Sequence, residues 1–253
     1  MGEGVEGFRE GDMAAVTWGT LGGYAERVAA PWERVVKLPE GIDAKLGASI
    51  MLQGLTAHYL ADTTYPLKKG VRCLIHAGAG GMGLILIQIA KRRGAYVFTT
   101  VSTEEKARVA LEAGADKVII YTREDFEKEI KKATGGEGVH VVYDGVGKTT
   151  FDQSLRSLGV RGYLVLHSRT GGSVPPISPW ILVNGSKFLT WPSLWDHIAD
   201  RKTLLKRTGE LFEWVKRGEL KIRIGHEYRL SEAAEAHRAM EGRRTMGKVL
   251  LIP

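Results

Sequence analysis

The glycine-rich segment Gly78-Ala79-Gly80-Gly81-Met82-Gly83 matches the pattern G-x-G-x-x-G. It follows a short apolar run typical of a buried strand and precedes an apolar helical pattern from Leu84 to Arg93. Glycines in such a turn let the backbone approach a pyrophosphate, and the N–H groups at the start of a helix favour an anion. The segment therefore predicts a nucleotide-phosphate site, although a turn that serves packing alone would show the same pattern.

The residues about 20 positions beyond this turn bear on which nucleotide would bind. A site for NAD usually places Asp or Glu there, at the end of the second strand. Here the chain has Val101 and Ser102, and Lys106 lies one helical turn further on. A hydroxyl and an ammonium without a carboxylate suit a 2′-phosphate, which predicts NADPH. The alternative is that Ser102 only caps a helix, in a capping box with Glu105, and that Lys106 is only solvated.

These residues lie where strand and helix signals alternate, from about Val71 to Thr190. The expected strands are 71–76, 96–101, 117–121, 139–143, 163–167 and 187–190, and the expected helices are 84–93, 102–113, 124–134 and 151–158. Strands separated by helices imply right-handed βαβ crossovers and a parallel sheet. The pattern predicts an α/β fold with a Rossmann-type doubly wound sheet.

The two ends of the chain have a different pattern. Short strand-like runs are expected at 13–17, 24–30 and 34–38, and a helix is expected at 45–60. After Pro192 the expected elements are a helix at 202–217, a strand at 220–224, a helix at 231–241 and a strand at 248–252. The first 40 residues resemble part of a small β domain.

Composition and charge limit the class of protein. The chain has 253 residues, of which 43% are apolar and 26% charged, and this excludes disorder as its main state. Its 36 basic and 29 acidic side chains give a net charge of +7. The basic residues are scattered, which favours a solvated face over a nucleic-acid surface. The longest apolar run, 81–90, is too short to cross a membrane and the N-terminus is unlike a secretory signal, so we expect a cytoplasmic protein.

The sequence contains no recognisable metal or nucleophile motif. Cys73 is the single cysteine, which rules out an intramolecular disulfide and a cysteine cluster for zinc. The seven histidines are dispersed, and His76 and His167 are interpreted as core or rim residues at strand ends. No G-x-S-x-G segment occurs, so a serine hydrolase has no support. We expect no bound metal.

Five segments carry a resemblance to a known family. They are Glu3 to Asp12, Gln53 to Tyr59, Gly78 to Gly83, Val142 to Gly147, and Pro192 to Leu194. In order, and over essentially the whole chain, they resemble the zinc-free, zeta-crystallin-like quinone oxidoreductases of the medium-chain dehydrogenase/reductase superfamily. The resemblance implies a GroES-like catalytic domain at residues 1–53 and 196–253 around a Rossmann NADPH-binding domain at 54–195. It also implies an N-terminally truncated catalytic domain, because the family pattern begins further upstream.

The resemblance implies roles for particular residues. The residues expected to contact the pyrophosphate are Gly80, Gly81 and Met82, and those expected around the 2′-phosphate are Ser102, Lys106 and Tyr121. The residues expected on the nicotinamide side are Gly145, Val146, His167, Ser168 and Arg169. Gln53, Thr56 and Tyr59 are expected to line the cleft between the domains, and Arg243 to lie near the cofactor. Tyr59 is the one candidate for a catalytic role.

Two segments depart from the family pattern near the nicotinamide. Ser168 and Arg169 replace a small polar segment, and Trp191 replaces an arginine before Pro-Ser-Leu.

The resemblance predicts an NADPH-dependent quinone oxidoreductase that forms a homodimer. Reduction of an enone or another activated alkene is the alternative among enzymes. A catalytically impaired NADPH-binding protein, with a possible RNA-binding role, is the alternative from another class.

Overall fold

The computed structural model describes residues 2–17 and 22–253, which form two compact units. The first unit is the described part of Met1–His58 together with Leu194–Pro253, and the second is Tyr59–Ser193. The sequence predicted domain boundaries after residues 53 and 195, whereas the units divide after residues 58 and 193.

The described residues contain ten strands and nine α-helices. The strands are β1 (Ala14–Val16), β2 (Val35–Lys37), β3 (Arg72–Ile75), β4 (Tyr96–Val101), β5 (Lys117–Ile120), β6 (Val139–Asp144), β7 (Leu158–Leu166), β8 (Phe188–Thr190), β9 (Ile224–Arg229) and β10 (Lys248–Ile252). The helices are α1 (Ala44–Met51), α2 (Gln53–Tyr59), α3 (Gly81–Arg92), α4 (Glu104–Glu112), α5 (Phe126–Ala133), α6 (Phe151–Ser157), α7 (Leu194–His197), α8 (Arg201–Lys216) and α9 (Ala233–Glu241). Short 3-10 turns lie at Trp32–Arg34, Pro179–Leu182 and Leu230–Glu232, and a π-helical turn lies at Leu60–Thr64.

The second unit is built on one six-stranded sheet in the order β5-β4-β3-β6-β7-β8. Every neighbouring pair of these strands is parallel. Because the chain moves outward in one direction from β3 and in the other from β6, the sheet has its topological switch point between those two strands. The α/β doubly wound fold predicted from the sequence is confirmed.

Helix α3 shows why the apolar run after the glycine turn folds as it does. Seven of its twelve residues are buried, which agrees with a helix covered by the sheet on one side and by neighbouring elements on others. It ends where Gly94 adopts a φ of +81°, a conformation that glycine reaches without strain. Ala95 then donates its N–H to the carbonyl of Ala90 at 3.0 Å and leads directly into β4.

The opposite face of the sheet carries a core that belongs entirely to the second unit. Alternate strand residues such as Leu74, Phe98 and Val142 pack there with Phe126 of α5 and Phe151 of α6. Each of these side chains is less than 5% exposed. Burying a large apolar side chain stabilises a fold by roughly 1.5–3 kcal/mol, so this cluster fixes the strands whose ends form the candidate site.

The first unit has two small sheets. Strands β1 and β2 pair antiparallel, and strands β9 and β10 pair parallel. Helix α1 begins at an N-cap, Asp43, whose carboxylate accepts a hydrogen bond from the Leu46 N–H, and Asp200 caps α8 in the same way through Thr203.

Three expectations about the chain ends are wrong. No strand forms at 24–30, where residues 24–29 are exposed and no strand among residues 2–17 and 22–253 pairs with them. The strand expected at 220–224 is β9, which begins only at Ile224, because Leu220 is used to close helix α8 through a bond to the Trp214 carbonyl. The helix expected at 45–60 is interrupted at Leu52 and passes into the π-helical turn.

Candidate functional site

The carboxyl ends of the parallel strands lie along one edge of the sheet. The residues predicted for the cofactor in the second unit follow five of these strands in turn. Across the sheet they are Tyr121 after β5, Ser102 after β4, the glycine turn after β3, Gly145 and Val146 after β6, and His167 to Arg169 after β7. Neighbouring strands are about 4.8 Å apart, so these positions form a row rather than a cluster.

The glycines of the turn between β3 and α3 are required for different reasons. A Cβ on Gly78 would collide with the side chain of Thr99 on β4, and a Cβ on Gly83 would collide with the carbonyl oxygen of Ala77. A Cβ on Gly80 would meet only that same oxygen, at 3.3 Å. Packing therefore accounts for Gly78 and Gly83, whereas Gly80 faces mostly open space.

The start of helix α3 is shaped to receive an anion. Its N-cap is Gly80, which has no side chain to accept a hydrogen bond, whereas α1, α4, α5 and α8 are all capped by a side chain. The first bond within the helix runs from the Leu84 N–H to the Gly80 carbonyl at 2.9 Å. The N–H groups of Gly81, Met82 and Gly83 precede it and have no partner within the helix. This cradle, open at Gly80, fits a pyrophosphate.

The end of β4 adjoins the end of β5. The Tyr121 N–H donates to the Val101 carbonyl at 3.0 Å, and the Thr122 hydroxyl donates to the Ser102 carbonyl at 3.1 Å. Ser102 was expected to cap the next helix, and this is wrong: Thr103 is the N-cap of α4 and accepts from the Lys106 N–H at 3.2 Å. The Ser102 side chain does not cap the helix, so the alternative in which Ser102 serves only as a cap is wrong.

Two turns at the ends of β6 and β7 are joined by backbone hydrogen bonds. His167 donates to the Asp144 carbonyl, Thr170 to the Gly145 carbonyl and Gly171 to the Val146 carbonyl, at 3.1, 3.1 and 2.7 Å. A Cβ on Gly145 would lie 2.6 Å from the His167 ring, so only glycine fits beside that ring. The structure therefore brings Gly145 and Val146 together with the segment from His167 to Arg169.

Asp144 organises this pair of turns and was missed as a functional residue. Its carboxylate is fully buried and accepts hydrogen bonds from the Val146 and Gly147 N–H groups, at 2.8 and 3.0 Å, and from the Thr150 and Ser154 hydroxyls, each at 2.8 Å. Burial opposes ionisation of Asp144, but the hydrogen bonds from Gly147, Thr150 and Ser154 favour the carboxylate and hold its pKa below the usual value. The available signal was an acidic residue between a buried strand and a Gly-Val-Gly turn.

The two histidines of this region are kept neutral. Burial lowers the pKa of His167 to about 4, although the nearby Asp144 carboxylate acts in the opposite direction. Burial also lowers the pKa of His76, again against the influence of Asp144. Neither imidazole carries a charge at neutral pH, and both ring nitrogens of His76 take part in hydrogen bonds.

Tyr59, the candidate for a catalytic role, is 2% exposed. Its hydroxyl donates to the carbonyl of Pro192 at 3.3 Å, and burial raises the pKa of Tyr59 to about 12. The Tyr59 side chain is closed off from solvent and its hydroxyl is hydrogen-bonded to the backbone, which favours a packing role over proton transfer.

Three predicted residues belong to the first unit and are not part of the row. Gln53 and Thr56 lie on α2, and Arg243 follows α9 in an exposed position with a φ of +55°. The Thr56 hydroxyl donates to the Leu52 carbonyl at 2.7 Å. The Oε1 atom of Gln53 is buried with no hydrogen-bond partner in the part of the chain that the structure describes, and an amide so placed suits a polar ligand. The roles of these three residues stay predictions.

Within residues 2–17 and 22–253, no group of three or more His, Cys, Asp or Glu side chains could hold a metal ion, so the described residues do not fit a zinc site. None of the described helices has the length and apolar character needed to cross a membrane.

Comparisons with known proteins identify the family of this chain. A family model described as zinc-binding dehydrogenase matches residues 113–251. A 2-haloacrylate reductase from Burkholderia sp is 39% identical over 257 residues, covering 100% of this chain and 77% of that protein. Quinone oxidoreductase 1 from Escherichia coli strain K12 is 39% identical over 256 residues, covering 100% of this chain and 78% of that protein.

Solved structures give the same result. The Escherichia coli quinone oxidoreductase complexed with NADPH superposes with a TM-score of 0.95 at 38% identity, covering 100% of this chain and 78% of that chain. A likeness of this extent in both sequence and fold exceeds what shared architecture alone produces. The chain therefore belongs to the quinone oxidoreductase family of the medium-chain dehydrogenase/reductase superfamily.

Proposed function

We propose that the chain binds NADPH along the carboxyl edge of the second unit's sheet and uses it to reduce a quinone. The observation that carries this proposal is the order of the predicted residues along that edge. The residues predicted for the 2′-phosphate, the anion cradle, and the paired turns after β6 and β7 follow one another from β5 to β7, in the order of the chemical groups of NADPH. Doubly wound sheets bind their ligands at this edge, at the switch point.

The cradle at Gly80, Gly81 and Met82 would hold the pyrophosphate through backbone N–H groups. Ser102, Lys106 and Tyr121 would surround the 2′-phosphate, where the Lys106 ammonium supplies the positive charge. The turns containing Gly145, Val146, His167, Ser168 and Arg169 would border the nicotinamide ring, with Gln53, Thr56 and Arg243 of the first unit as further contacts.

NADPH, when bound, supplies a hydride equivalent for the reduction. The chain's part is to bind and orient the reactants. On the nicotinamide side of the row His167 and Val146 are uncharged, and Arg169 is the charged residue. The protons that a reduced quinone takes up can come from water, so the proposal requires no acid or base from the chain.

Reduction of an activated alkene is the second candidate. It is favoured by the relative named 2-haloacrylate reductase, which is as similar to this chain as the quinone oxidoreductase is. An alkene must receive a proton on carbon, and this reaction would therefore need a proton donor that the quinone reaction does not.

Steady-state oxidation of NADPH separates these candidates. We expect turnover with 9,10-phenanthrenequinone and little or none with an enone or 2-chloroacrylate. Turnover with the alkenes alone would favour the second candidate. Binding of NADPH with no turnover on any substrate would favour the impaired NADPH-binding protein, and an electrophoretic shift of RNA would then test its possible RNA-binding role.

A homodimer is part of the proposal. Strand β8 ends the sheet in the described residues, and an open strand edge can pair with another chain. Apolar side chains near it are exposed, with Trp180 at 78% and Phe188 at 42%. Light scattering coupled to size-exclusion chromatography should give the mass of two chains, and the mass of one chain would contradict this part. We propose a cytoplasmic location without a membrane partner, and the scattered basic residues disfavour a nucleic-acid partner.

A further inference from the structure

A chain of buried hydrogen bonds crosses the sheet beneath the candidate site. It joins Thr100 on β4, His76 at the end of β3, Ser154 on α6 and Asp144 at the end of β6. His76 Nδ1 lies 2.8 Å from Thr100 Oγ1, and His76 Nε2 lies 2.9 Å from Ser154 Oγ. The Ser154 hydroxyl lies 2.8 Å from Asp144 Oδ2. All four side chains are at most 4% exposed.

The protons in this chain have one consistent arrangement. Ionised Asp144 can only accept, so the single hydroxyl hydrogen of Ser154 is donated to it. Ser154 Oγ must then accept from His76, which places the imidazole proton on Nε2. His76 is neutral because burial lowers its pKa, and its Nδ1 therefore accepts from the Thr100 hydroxyl. The chain runs in one direction, from Thr100 to Asp144.

This order differs from that of a catalytic triad. In serine hydrolases the histidine lies between the serine and the carboxylate and removes the hydroxyl proton. Here the serine lies in the middle and its proton is held by Asp144. The three residues are also closed off from solvent, so the arrangement suits a structural link rather than a nucleophile.

The part of this chain from His76 through Ser154 to Asp144, called the link below, connects two parts of the row. His76 directly precedes Ala77, which has a φ of +55° and leads into the glycine turn. Asp144 holds the N–H groups of Val146 and Gly147. The ring of His76 is fixed from the side by Phe126, with ring centroids 4.9 Å apart. The link thus spans the switch point between β3 and β6.

We infer that His76 and Ser154 are positioning residues, which hold the glycine turn and the Asp144 turn at a fixed separation so that both can contact one NADPH molecule. This inference rests on the proposed function. The glycine turn meets the pyrophosphate and the Asp144 turn meets the nicotinamide side, so the link matters only for a ligand that reaches both. The adenosine portion alone does not reach the Asp144 turn.

Ser154→Ala tests the inference, and Ser157→Ala is the matched control. Both serines are fully buried on α6, but the Ser157 hydroxyl donates only to the Gln153 carbonyl of its own helix, at 2.8 Å. Calorimetry would measure the affinities for NADPH and for adenosine 2′,5′-bisphosphate. We expect Ser154→Ala to weaken NADPH binding about tenfold, because a buried donor and acceptor lose their partner. Binding of the bisphosphate should be unchanged, and Ser157→Ala should alter neither affinity.

A spectroscopic readout checks the link without any cofactor. Nitrogen-15 NMR of the imidazole should show the Nε2–H form of His76 in the unaltered protein. In Ser154→Ala the proton should move to Nδ1, where the Thr100 oxygen can accept it. If Ser154→Ala does not fold, the isosteric Thr100→Val replaces it in calorimetry, with the same difference expected between the two ligands.

The outcomes separate the two hypotheses. If the unaltered protein does not bind NADPH, the proposed function fails. If it binds NADPH and the variant binds it equally well, or loses both ligands to the same extent, the positioning role is overturned while the proposed function stands. An Nδ1–H form of His76 in the unaltered protein would overturn the direction of the link.

Discussion

At the scale of single residues, Gly80 and Gly83 have different roles in the same turn. Gly80 leaves room for an anion, whereas Gly83 is required for packing. We expect Gly80→Ala to fold with a loss of about 1 kcal/mol or less, because its φ of −75° suits alanine and its Cβ would meet one atom at 3.3 Å. The added methyl group would project into the anion cradle, so NADPH affinity should fall about tenfold or more. Urea unfolding and calorimetry measure the two effects.

Gly83→Ala is the contrasting variant. Its Cβ would collide with the carbonyl oxygen of Ala77 and lie 2.8 Å from the Cα of Gly78, so the turn itself must shift. Overpacking of this kind costs about 1–3 kcal/mol, and we expect a lower free energy of unfolding as the main effect. Equal losses of stability in the two variants would contradict the distinction.

Lys106 determines the choice between NADPH and NADH in our hypothesis. Lys106→Ala should weaken NADPH binding about tenfold or more, because a charge-assisted hydrogen bond contributes roughly 1.5–3 kcal/mol. NADH has no 2′-phosphate, so its affinity should stay the same. Fluorescence titration with each cofactor measures both.

Lys128→Ala is a matched control for this variant. Lys128 is the third residue of α5, as Lys106 is of α4, and the backbone N–H of each donates to the N-cap side chain. Lys128 is not among the predicted cofactor residues, so its removal should leave both affinities unchanged. Equal affinities for NADPH and NADH in the unaltered protein would refute the assignment of Lys106.

At the scale of elements, the paired turns after β6 and β7 predict a dependence of stability on pH. The pKa of His167 is about 4 in the folded protein and 6.5 as its ordinary value. Between pH 6.5 and about 4 the His167 imidazole binds a proton in the unfolded chain but not in the folded chain. The free energy of unfolding therefore falls as the pH drops through this range. The substitution His167→Gln should make the free energy of unfolding less dependent on pH in this range, by up to about 1.4 kcal/mol per pH unit. Urea unfolding across this range measures it.

His237→Gln serves as the control for this pH experiment. His237 lies on α9 in the first unit and is exposed. The slope of the free energy of unfolding against pH in this variant gives the effect of replacing an exposed histidine, and the slope of His167→Gln is compared with it. A slope that is the same in His167→Gln and the unaltered protein would show that His167 does not resist protonation in the fold.

Secondary structure was predictable where local patterns and tertiary contacts agree. The bounds of β4 and β10 are confirmed to the residue, and α8 is shifted by one residue from its expected position. Both strands consist mainly of β-branched and apolar residues, and each pairs with a neighbouring strand along its length. The run at 24–30 contains Glu26 and Arg27 and has no partner strand in the described part of the chain, and without a partner a strand cannot form its ladder.

At the scale of the whole molecule, the second unit has its own sheet and its own core. We expect a fragment of residues 59–193 to fold cooperatively and to bind adenosine 2′,5′-bisphosphate, because the anion cradle, Ser102, Lys106 and Tyr121 all lie within it. Quinone reduction should be largely lost, since Gln53, Thr56 and Arg243 belong to the first unit. Circular dichroism, calorimetry and the NADPH oxidation assay test the three expectations.

A Lys106→Ala version of the fragment is the control for specific binding. It should bind the bisphosphate about tenfold more weakly than the unaltered fragment, as in the full chain. A fragment that stays unfolded, or that binds equally well with and without Lys106, would show that the second unit is not an independent binding domain.

The sequence by itself determined the features that depend on neighbours along the chain. The glycine spacing, the missing carboxylate after β4 and the alternation of strands and helices required only local counting, and they led to the doubly wound fold and the predicted NADPH site. Only the tertiary structure decided that Thr103 rather than Ser102 caps α4, that Tyr59 is closed off, and that His76, Ser154 and Asp144 form one link. In this link residue 76 is far in sequence from residues 144 and 154, and it meets them because β3 and β6 are adjacent in the sheet. Hydrogen-bond direction and burial depend on such non-local contacts, and no pattern within a short window of sequence contains them.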